Sequence, residues 1–199
     1  MSYIRLDCMS KLVFKCLQCG HCCKTLLKSD GRITSGLTFF SDEEKELFPK
    51  NLVSPATGLG WGATGPKHII RYQLNSNICP HLDKNNICKI YDDRPLVCRS
   101  FPLISIGHLG TTIAQASDCN FVENIEEKLG SLDIILPITV NKFTSPEAWQ
   151  AIAKINHLQD SSIMDHLFDA KVLWKFDLKS KKWVLLSARS DSSTFNLPF

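Results

Sequence analysis

Four cysteines fall within eight residues, in the run Cys16-Leu17-Gln18-Cys19-Gly20-His21-Cys22-Cys23. Two residues between cysteines let the chain fold back so that successive sulfurs converge, and bacterial ferredoxins bind iron–sulfur clusters with three cysteines at this spacing. Gly20 supplies the backbone freedom for a tight turn around such a centre. Because adjacent side chains project in different directions, Cys23 is expected to serve a second site or to bridge two metals. The run therefore predicts a metal or iron–sulfur site.

A second set of cysteines lies between residues 79 and 119. The segment Asp83-Lys84-Asn85-Asn86 has the composition of a turn, which would bring Cys79 and Cys88 together. One division of the thiols puts Cys16, Cys19, Cys22 and Cys79 on one centre and Cys23, Cys88, Cys98 and Cys119 on another. These eight cysteines are the predicted metal ligands, and Cys8 is left over.

Charged and imidazole side chains accompany the cysteines. Arg94 and Arg99 flank Cys98, and guanidinium donors beside a thiolate-rich centre would offset its charge and tune its reduction potential. The alternative is that both are surface arginines in ordinary ion pairs. His21 is expected to be exposed or to donate a hydrogen bond to a ligand, and His157 and His166 are also taken as non-ligands. No arrangement of a nucleophile with a general base stands out, so no catalytic residue is assigned.

The thiols suit two kinds of cofactor. Four thiolates match the softness of Zn²⁺ and of an iron–sulfur cluster equally well. Structural zinc sites usually pair two cysteine hooks, whereas here three evenly spaced cysteines are joined by the distant Cys79-Pro80. The spacing favours an iron–sulfur cluster over zinc.

Composition gives the setting for this site. With 199 residues, 44% of them hydrophobic, the chain can bury a core without disulfides. Charges interrupt the apolar runs of the first fifteen residues, and no segment is long enough to span a bilayer, so we expect a cytoplasmic protein without a membrane contact. The formal net charge of +3 counts cysteines as neutral, and thiolates would offset it. Because the basic residues are scattered, we expect no nucleic-acid partner; a protein substrate or a redox partner remains.

The fold is expected to be α+β, a small metal-clasped domain over residues 1–130 with a helix and hairpin extension over residues 131–199. Leu12-Val13-Phe14, the segment from Ile33, Ile69–Leu74 and Thr111–Ala116 read as strands. Ser41-Asp42-Glu43-Glu44 is a capping-box pattern that starts a short helix. A second helix is predicted over Phe121–Leu129 before Gly130, and a third starts at Ser145-Pro146-Glu147. Alternating apolar residues predict a hairpin over Asp169–Ser187 and a loose tail after it.

Two further segments carry weaker signals. Residues 51–66 are predicted to form a glycine-rich loop. Gly60-Trp61-Gly62-Ala63-Thr64-Gly65 matches the dinucleotide-binding spacing, but no strand is expected before it and no helix after it. A substrate-facing loop with Trp61 as a contact is the better interpretation. Trp149, Ile152, Ile155 and Leu158 recur at helical spacing and are expected to be core residues.

Several short motifs together carry a family resemblance. Beside Cys16–Cys23 they are Cys79-Pro80, Cys88, Tyr91, Arg94-Pro95, Cys98-Arg99 and Phe101-Pro102. This set, from residue 16 to residue 102, resembles the cysteine-cluster (CxxCxxCC) family of zinc- or iron-chelating domains, and it is similar to the cysteine-rich part of flagellin lysine N-methylase. The resemblance implies metal chelation, and it places Tyr91 with Arg94 and Arg99 among the residues expected to contact the cofactor. It implies methylation only loosely, since no S-adenosylmethionine fingerprint is recognisable.

Three functions fit these observations. The first is a protein that holds a 4Fe–4S cluster for a redox or methyl-transfer-related role, as an iron–sulfur oxidoreductase or a protein lysine methylase-like enzyme. The second is a zinc-stabilised structural or binding module without catalysis. The third is a carrier that passes metal ions on.

Overall fold

The computed structural model describes residues 12–13, 16–106, 112–115, 143–166 and 168–188. The helices are α1 (His21–Lys24), α2 (Asp42–Glu46), α3 (Leu96–Ser100) and α4 (Pro146–Met164), with a 3₁₀ turn at Lys50–Leu52. The strands are β1 (Leu12–Val13), β2 (Lys28–Ser29), β3 (Thr34–Ser35), β4 (Leu37–Phe39), β5 (Val53–Leu59), β6 (His68–Leu74), β7 (Leu103–Ile106), β8 (Thr112–Gln115), β9 (Phe143–Thr144), β10 (Val172–Asp177) and β11 (Lys182–Ala188). Helices and antiparallel strands occur together, which confirms the α+β prediction.

A five-stranded antiparallel sheet forms the centre of the described structure, in the order β11-β10-β5-β6-β4. The predicted hairpin is confirmed, since β10 pairs with β11 from Val172–Ala188 to Asp177–Lys182. The predicted strands at Ile69–Leu74 and Thr111–Ala116 are confirmed as β6 and β8, and β7 pairs with β8. Leu12 and Val13 form β1, which pairs in parallel with β9.

The prediction of a loop throughout residues 51–66 is wrong. Val53–Leu59 forms β5, a central strand that pairs with β6 on one side and β10 on the other. Pro55 has no N–H to give to a ladder, and the register shifts between Pro55 and Thr57 accommodate it. Only the segment after Leu59 remains a connection between strands.

The two predicted helices that fall on described residues are confirmed at their starts. In α2 the Ser41 side chain accepts from the Glu44 N–H and the Glu44 carboxylate accepts from the Ser41 N–H, the reciprocal capping box. In α4 the Ser145 side chain accepts from the Ala148 N–H. The helix predicted over Phe121–Leu129 lies on residues 116–142, outside the described residues. The prediction of a loose tail from Ser187 is wrong for Ser187 and Ala188, which belong to β11, and residues 189–199 lie outside the described residues.

Two small apolar clusters are present among the described residues. Phe39, Phe48 and Leu74 pack where β4 and β6 meet the chain after α2. Leu96 of α3 packs on Ala151 and Ile155 of α4. The expectation that Trp149 belongs to the core is wrong, because 42% of its surface is exposed while Ile152 and Ile155 are buried. The long helix therefore buries only one narrow stripe, and that stripe lies against α3.

The division of the chain at residue 130 stays a prediction. The central sheet contains strands from both sides of that boundary, since β5 of the first segment pairs directly with β10 of the second. Contact between the segments therefore includes backbone hydrogen bonds as well as side-chain packing.

Candidate metal centre

The first cysteine run ends in a short helical turn rather than remaining a loop throughout. Gly20 precedes α1 with φ 72°, a left-handed conformation that glycine adopts without strain. A Cβ at this position would stand 2.8 Å from the Cβ of Asn86, closer than real side chains come. The turn expected at Gly20 is confirmed, and it lies where the first cysteine segment meets the second.

Backbone hydrogen bonds join the two cysteine segments. The Cys79 N–H donates to the Cys23 carbonyl at 2.8 Å, and the Leu26 N–H donates to the Asn77 carbonyl at 3.0 Å. The Asn77 side-chain oxygen also accepts from the Leu27 N–H at 3.2 Å. These contacts fix the register of the two segments without any help from the thiols.

The predicted turn at Asp83–Asn86 is confirmed. The Asp83 carboxylate accepts from the N–H groups of Asn85 and Ile87, each at 2.8 Å, which is the local bonding that favours Asp in turns. Leu82 and Cys88 then face each other in an isolated β-bridge. The turn thereby returns Cys88 toward Cys79.

Cys98 lies on α3, a helix that the sequence reasoning missed. The carboxylate of Glu44, which is buried, accepts from the Leu96 N–H at the start of α3 and from the Phe40 N–H at 2.7 Å. One side chain thus completes the capping box of α2 and holds the start of the helix that carries Cys98. Pro95, directly before the apolar Leu96, was the available signal, because proline is favoured at helix starts.

All seven described cysteines line one cavity of about 710 Å³. They are half-buried except for Cys19, which is exposed. Apolar side chains such as Leu37, Phe48 and Ile155 form much of the remaining wall. Cys119 and Cys8 lie outside the described residues, so the ligand role predicted for Cys119 remains a prediction. The cavity-lining cysteines are Cys16, Cys19, Cys22, Cys23, Cys79, Cys88 and Cys98.

The adjacent thiols of Cys22 and Cys23 turn toward each other. Their Sγ atoms are 4.0 Å apart, contrary to the expectation that adjacent side chains would project to different places. A hydrogen bond between them raises the pKa of Cys22, with burial acting in the same direction, and lowers the pKa of Cys23 to about 7, assisted by the charge of Arg94. The pair therefore holds one thiol proton tightly and releases the other near neutral pH.

The remaining buried thiols favour the protonated state. Burial is the main cause that raises the pKa of Cys79, Cys88 and Cys98, because a thiolate loses hydration in the cavity wall. The charge of Cys23 raises the pKa of all three, although the proposed division puts Cys23 and Cys79 on separate centres. The thiols therefore interact across that division.

Arg94 and Tyr91 lie at the cavity wall, whereas Arg99 is not among the lining residues. The Arg94 guanidinium stacks over the Tyr91 ring at 3.8 Å, and its Nε donates to the Tyr91 carbonyl at 2.6 Å. Glu147, at the start of α4, accepts from Arg94 and also pairs with Arg99 at 3.4 Å. Sequence reasoning assigned Glu147 only to a helix start, and nothing local marks a partner that is 53 residues away.

Other candidate residues lie elsewhere. His21 is exposed, as expected, and does not line the cavity. His166 stacks on the His68 ring at 4.3 Å, and His68 is 3.0 Å from the Asp169 carboxylate. Trp61 is 61% exposed and packs edge-on against Trp174, away from the cavity lining. The glycine-rich segment thus turns an aromatic side chain outward.

Comparison with known proteins adds an independent observation. A family model described as "putative zinc- or iron-chelating domain" matches residues 15–124, more than half of the chain. This chain belongs to the CxxCxxCC family. The match confirms the resemblance drawn from the cysteine motifs, and it assigns zinc or iron chelation to the domain.

Two other comparisons found nothing. No curated protein and no solved structure matches the chain, so the likeness to flagellin lysine N-methylase stays a prediction. In the part of the chain that the structure describes, no helix combines the length and hydropathy needed to cross a bilayer.

The donor set of this CxxCxxCC domain fits a soft metal or a cluster. Thiolate sulfur is the preferred ligand of zinc and of iron–sulfur clusters. Among the described residues, however, no three His, Cys, Asp or Glu side chains converge closely enough to hold one ion as they stand. The described cysteines line one cavity instead of meeting at a point.

Proposed function

We propose that this CxxCxxCC domain holds an iron–sulfur cluster of the 4Fe–4S type in a redox or methyl-transfer-related role. The observation that carries the proposal is that all seven described cysteines line one cavity of about 710 Å³. A single zinc ion takes four ligands at one point, whereas a cluster spreads its thiolate ligands around a core of several atoms. The spread of the thiols along one cavity favours the cluster, whereas their number does not discriminate, because zinc and a 4Fe–4S cluster each take four thiolates.

The residues that would hold the cluster come from the two joined segments and α3. The candidates are Cys16, Cys19, Cys22 and Cys23 from the first segment and Cys79, Cys88 and Cys98 from the rest, with Cys119 as a further predicted ligand. One 4Fe–4S cluster takes four of these thiolates. A bound cluster would supply one-electron transfer at a potential set by its surroundings. Arg94 would offset the negative charge of the thiolates from the cavity wall, with Tyr91 supporting the guanidinium.

Zinc is the second candidate, and one distance favours it. Thiolates arranged tetrahedrally at the usual Zn–S bond length lie about 3.8 Å from one another. The Sγ atoms of Cys22 and Cys23 are 4.0 Å apart, close to that separation. A zinc-stabilised module would use this pair with two further thiols and would perform no redox chemistry.

Anaerobic purification followed by metal analysis and a visible spectrum separates the two. We expect several irons per chain, acid-labile sulfide and broad visible absorption that bleaches on reduction. Tightly held zinc with no visible absorption would overturn the cluster and select the zinc module. Expression in zinc-supplemented and iron-supplemented media controls for adventitious loading, because the native metal should be retained in both.

Location and partners follow from the same thiol chemistry. We propose a cytoplasmic protein, where reducing conditions keep cysteines available for metal. Electron transfer would require a redox partner, and methyl transfer a protein substrate. Exposed aromatic residues such as Trp61 and Phe168 support a protein contact, because aromatic side chains are enriched at interfaces.

A further inference from the structure

Glu147 connects the long helix α4 to the wall of the cysteine cavity. Its carboxylate lies 3.1 Å (Oε1) and 3.4 Å (Oε2) from Nη2 of Arg94, so both oxygens face the same guanidinium nitrogen. The Glu147 side chain is itself about half exposed, whereas only 11% of the Arg94 side chain is exposed. The half-exposed Glu147 carboxylate therefore holds the mostly buried Arg94 guanidinium in place.

Arg94 is held from three directions. Its Nε donates to the Tyr91 carbonyl at 2.6 Å, its guanidinium lies over the Tyr91 ring, and Glu147 holds Nη2. Tyr91 and Arg94 line the same cavity as the cysteines. A guanidinium has a rigid planar fork, so fixing two of its edges fixes the position of its charge.

We infer that Glu147 is a positioning residue for the metal centre, which acts by fixing the Arg94 guanidinium at the cavity wall. The inference rests on the proposed metal-binding function and adds a residue from outside the cysteine segments. Groups that orient the surroundings of metal ligands typically change metal affinity by about 10- to 100-fold when they are mutated. Glu147 would exert such an effect through Arg94, without contact with the metal.

A purely structural role for Glu147 makes a different prediction. Glu147 lies in the first turn of α4, where an acid stabilises a helix by interacting with its dipole. If that were its whole function, Glu147→Gln would lower the thermal stability without changing metal release. The substitution Glu147→Gln would also have the same effect on stability whether or not Arg94 was present.

The test is a double-mutant cycle on the metal-loaded, full-length protein. Wild type, Glu147→Gln, Arg94→Met and the double variant are purified anaerobically, and metal release into excess chelator is followed together with the melting temperature. We expect Glu147→Gln to speed metal release about 10-fold. In the Arg94→Met background the same change should have no further effect, because its target is gone.

Three further variants serve as controls. Asp160→Asn makes the same charge change at an exposed position of the same helix. It should release metal at the wild-type rate. Arg94→Lys keeps the charge but not the planar fork, so its release should be faster than that of wild type. Arg94→Gln, which removes the charge, replaces Arg94→Met in the cycle if the Met variant does not fold.

The outcomes separate the inference from the function on which it rests. A wild-type protein that holds neither iron nor zinc would overturn the proposed function. With metal present in wild type, unchanged release from Glu147→Gln would overturn the inference alone. Additive effects of the two substitutions would do the same, since they would show that Glu147 acts independently of Arg94.

Discussion

At the scale of single residues, the thiols differ in how readily they give up a proton. The pKa of Cys23 is lowered to about 7 by the hydrogen bond from Cys22 and by Arg94, against the opposing effect of burial. The pKa of Cys98 is raised because burial disfavours its thiolate. Metal binding requires thiolates, so the Cys98 thiol must give up its proton when it binds metal, against the effect of burial.

Cys98→Ser is expected to lose most of the bound metal and to lower the melting temperature. The hydroxyl is a poor ligand for a soft metal, and binding free energy that is lost is also lost to folding. Metal content per chain and thermal unfolding measure the two effects. Cys19→Ser should reduce the metal content in the same way.

Cys8→Ser is the matched control, because Cys8 is the cysteine left outside the predicted ligand set. It should retain both metal and stability. A Cys98→Ser protein with the wild-type metal content would remove Cys98 from the ligands.

At this scale the cysteines of the candidate metal centre could be predicted from the sequence. Glu44 and Glu147, which hold the start of α3 and Arg94 beside them, could not. Spacing such as Cys16-x-x-Cys19-x-x-Cys22 is a local pattern with a known chemical use. Glu44 and Glu147 are each about 50 residues from the backbone or side-chain groups that they bind near the site. The Glu44 pairing depends on how α2 meets α3, and the Glu147 pairing on how α3 packs against α4, and no local pattern encodes either.

At the scale of elements, β5 depends on a buried side chain of its neighbour. Gln73 of β6 is fully buried, and its Nε2 donates to the Pro55 carbonyl at 2.8 Å and to the Phe176 carbonyl at 3.2 Å. Its Oε1 accepts from the Gly36 N–H at 2.8 Å. One amide thus satisfies backbone groups from three other parts of the chain around the irregular register at Pro55.

Gln73→Leu should lower the free energy of unfolding by about 2 kcal/mol or more, since buried groups left unsatisfied cost roughly 1–3 kcal/mol each. Urea unfolding of the metal-loaded protein measures the change. Gln150→Leu, at an exposed position of α4, is the control and should be nearly neutral. Equal stabilities of the two variants would show that water replaces the Gln73 amide.

This dependence also explains why residues 51–66 were predicted to be a loop. Proline and glycine within a strand argue against a central position, because one lacks the N–H and the other lacks a side chain to pack. In β5 the tertiary setting overrides those preferences through the register shifts and Gln73. The hairpin β10–β11 was predictable because its alternation of apolar residues is local.

At the scale of the whole molecule, one carboxylate links two segments that are far apart in the sequence. Asp177, at the end of β10, accepts from the Thr34 N–H at 2.8 Å across a separation of 143 residues. It also accepts from the Ser180 N–H at 2.8 Å in the hairpin turn. Hydrogen bonds from the Ser180 side chain and from these backbone groups hold the pKa of Asp177 well below its usual range.

The lowered pKa predicts a loss of stability in acid. A carboxyl whose pKa is depressed by folding contributes stability that is fully present above its unfolded pKa, about 3.9, and that is lost as the pH falls toward the folded value. Asp177→Asn should therefore be less stable than wild type at pH 7, and the difference should shrink from about pH 5 downward. Denaturant unfolding across that range provides the measurement.

Asp160→Asn is again the control. The Asp160 carboxyl is exposed and makes no comparable set of hydrogen bonds to the described residues. A stability difference for Asp177→Asn that stays constant with pH would contradict the assignment. At this scale the sequence predicted the hairpin but not its attachment, because the Thr34–Asp177 bond joins β3 to the end of β10, two strands that are remote in the chain.

The backbone bond from the Cys79 N–H to the Cys23 carbonyl has a consequence for the timing of metal loading. It joins the two cysteine segments through main-chain groups, so their alignment does not require an ion to be present. A metal donor arriving after synthesis would then meet both halves of the cavity already side by side. Loading becomes a bimolecular encounter, and its rate should rise in proportion to the donor concentration instead of being limited by a slow rearrangement of the chain.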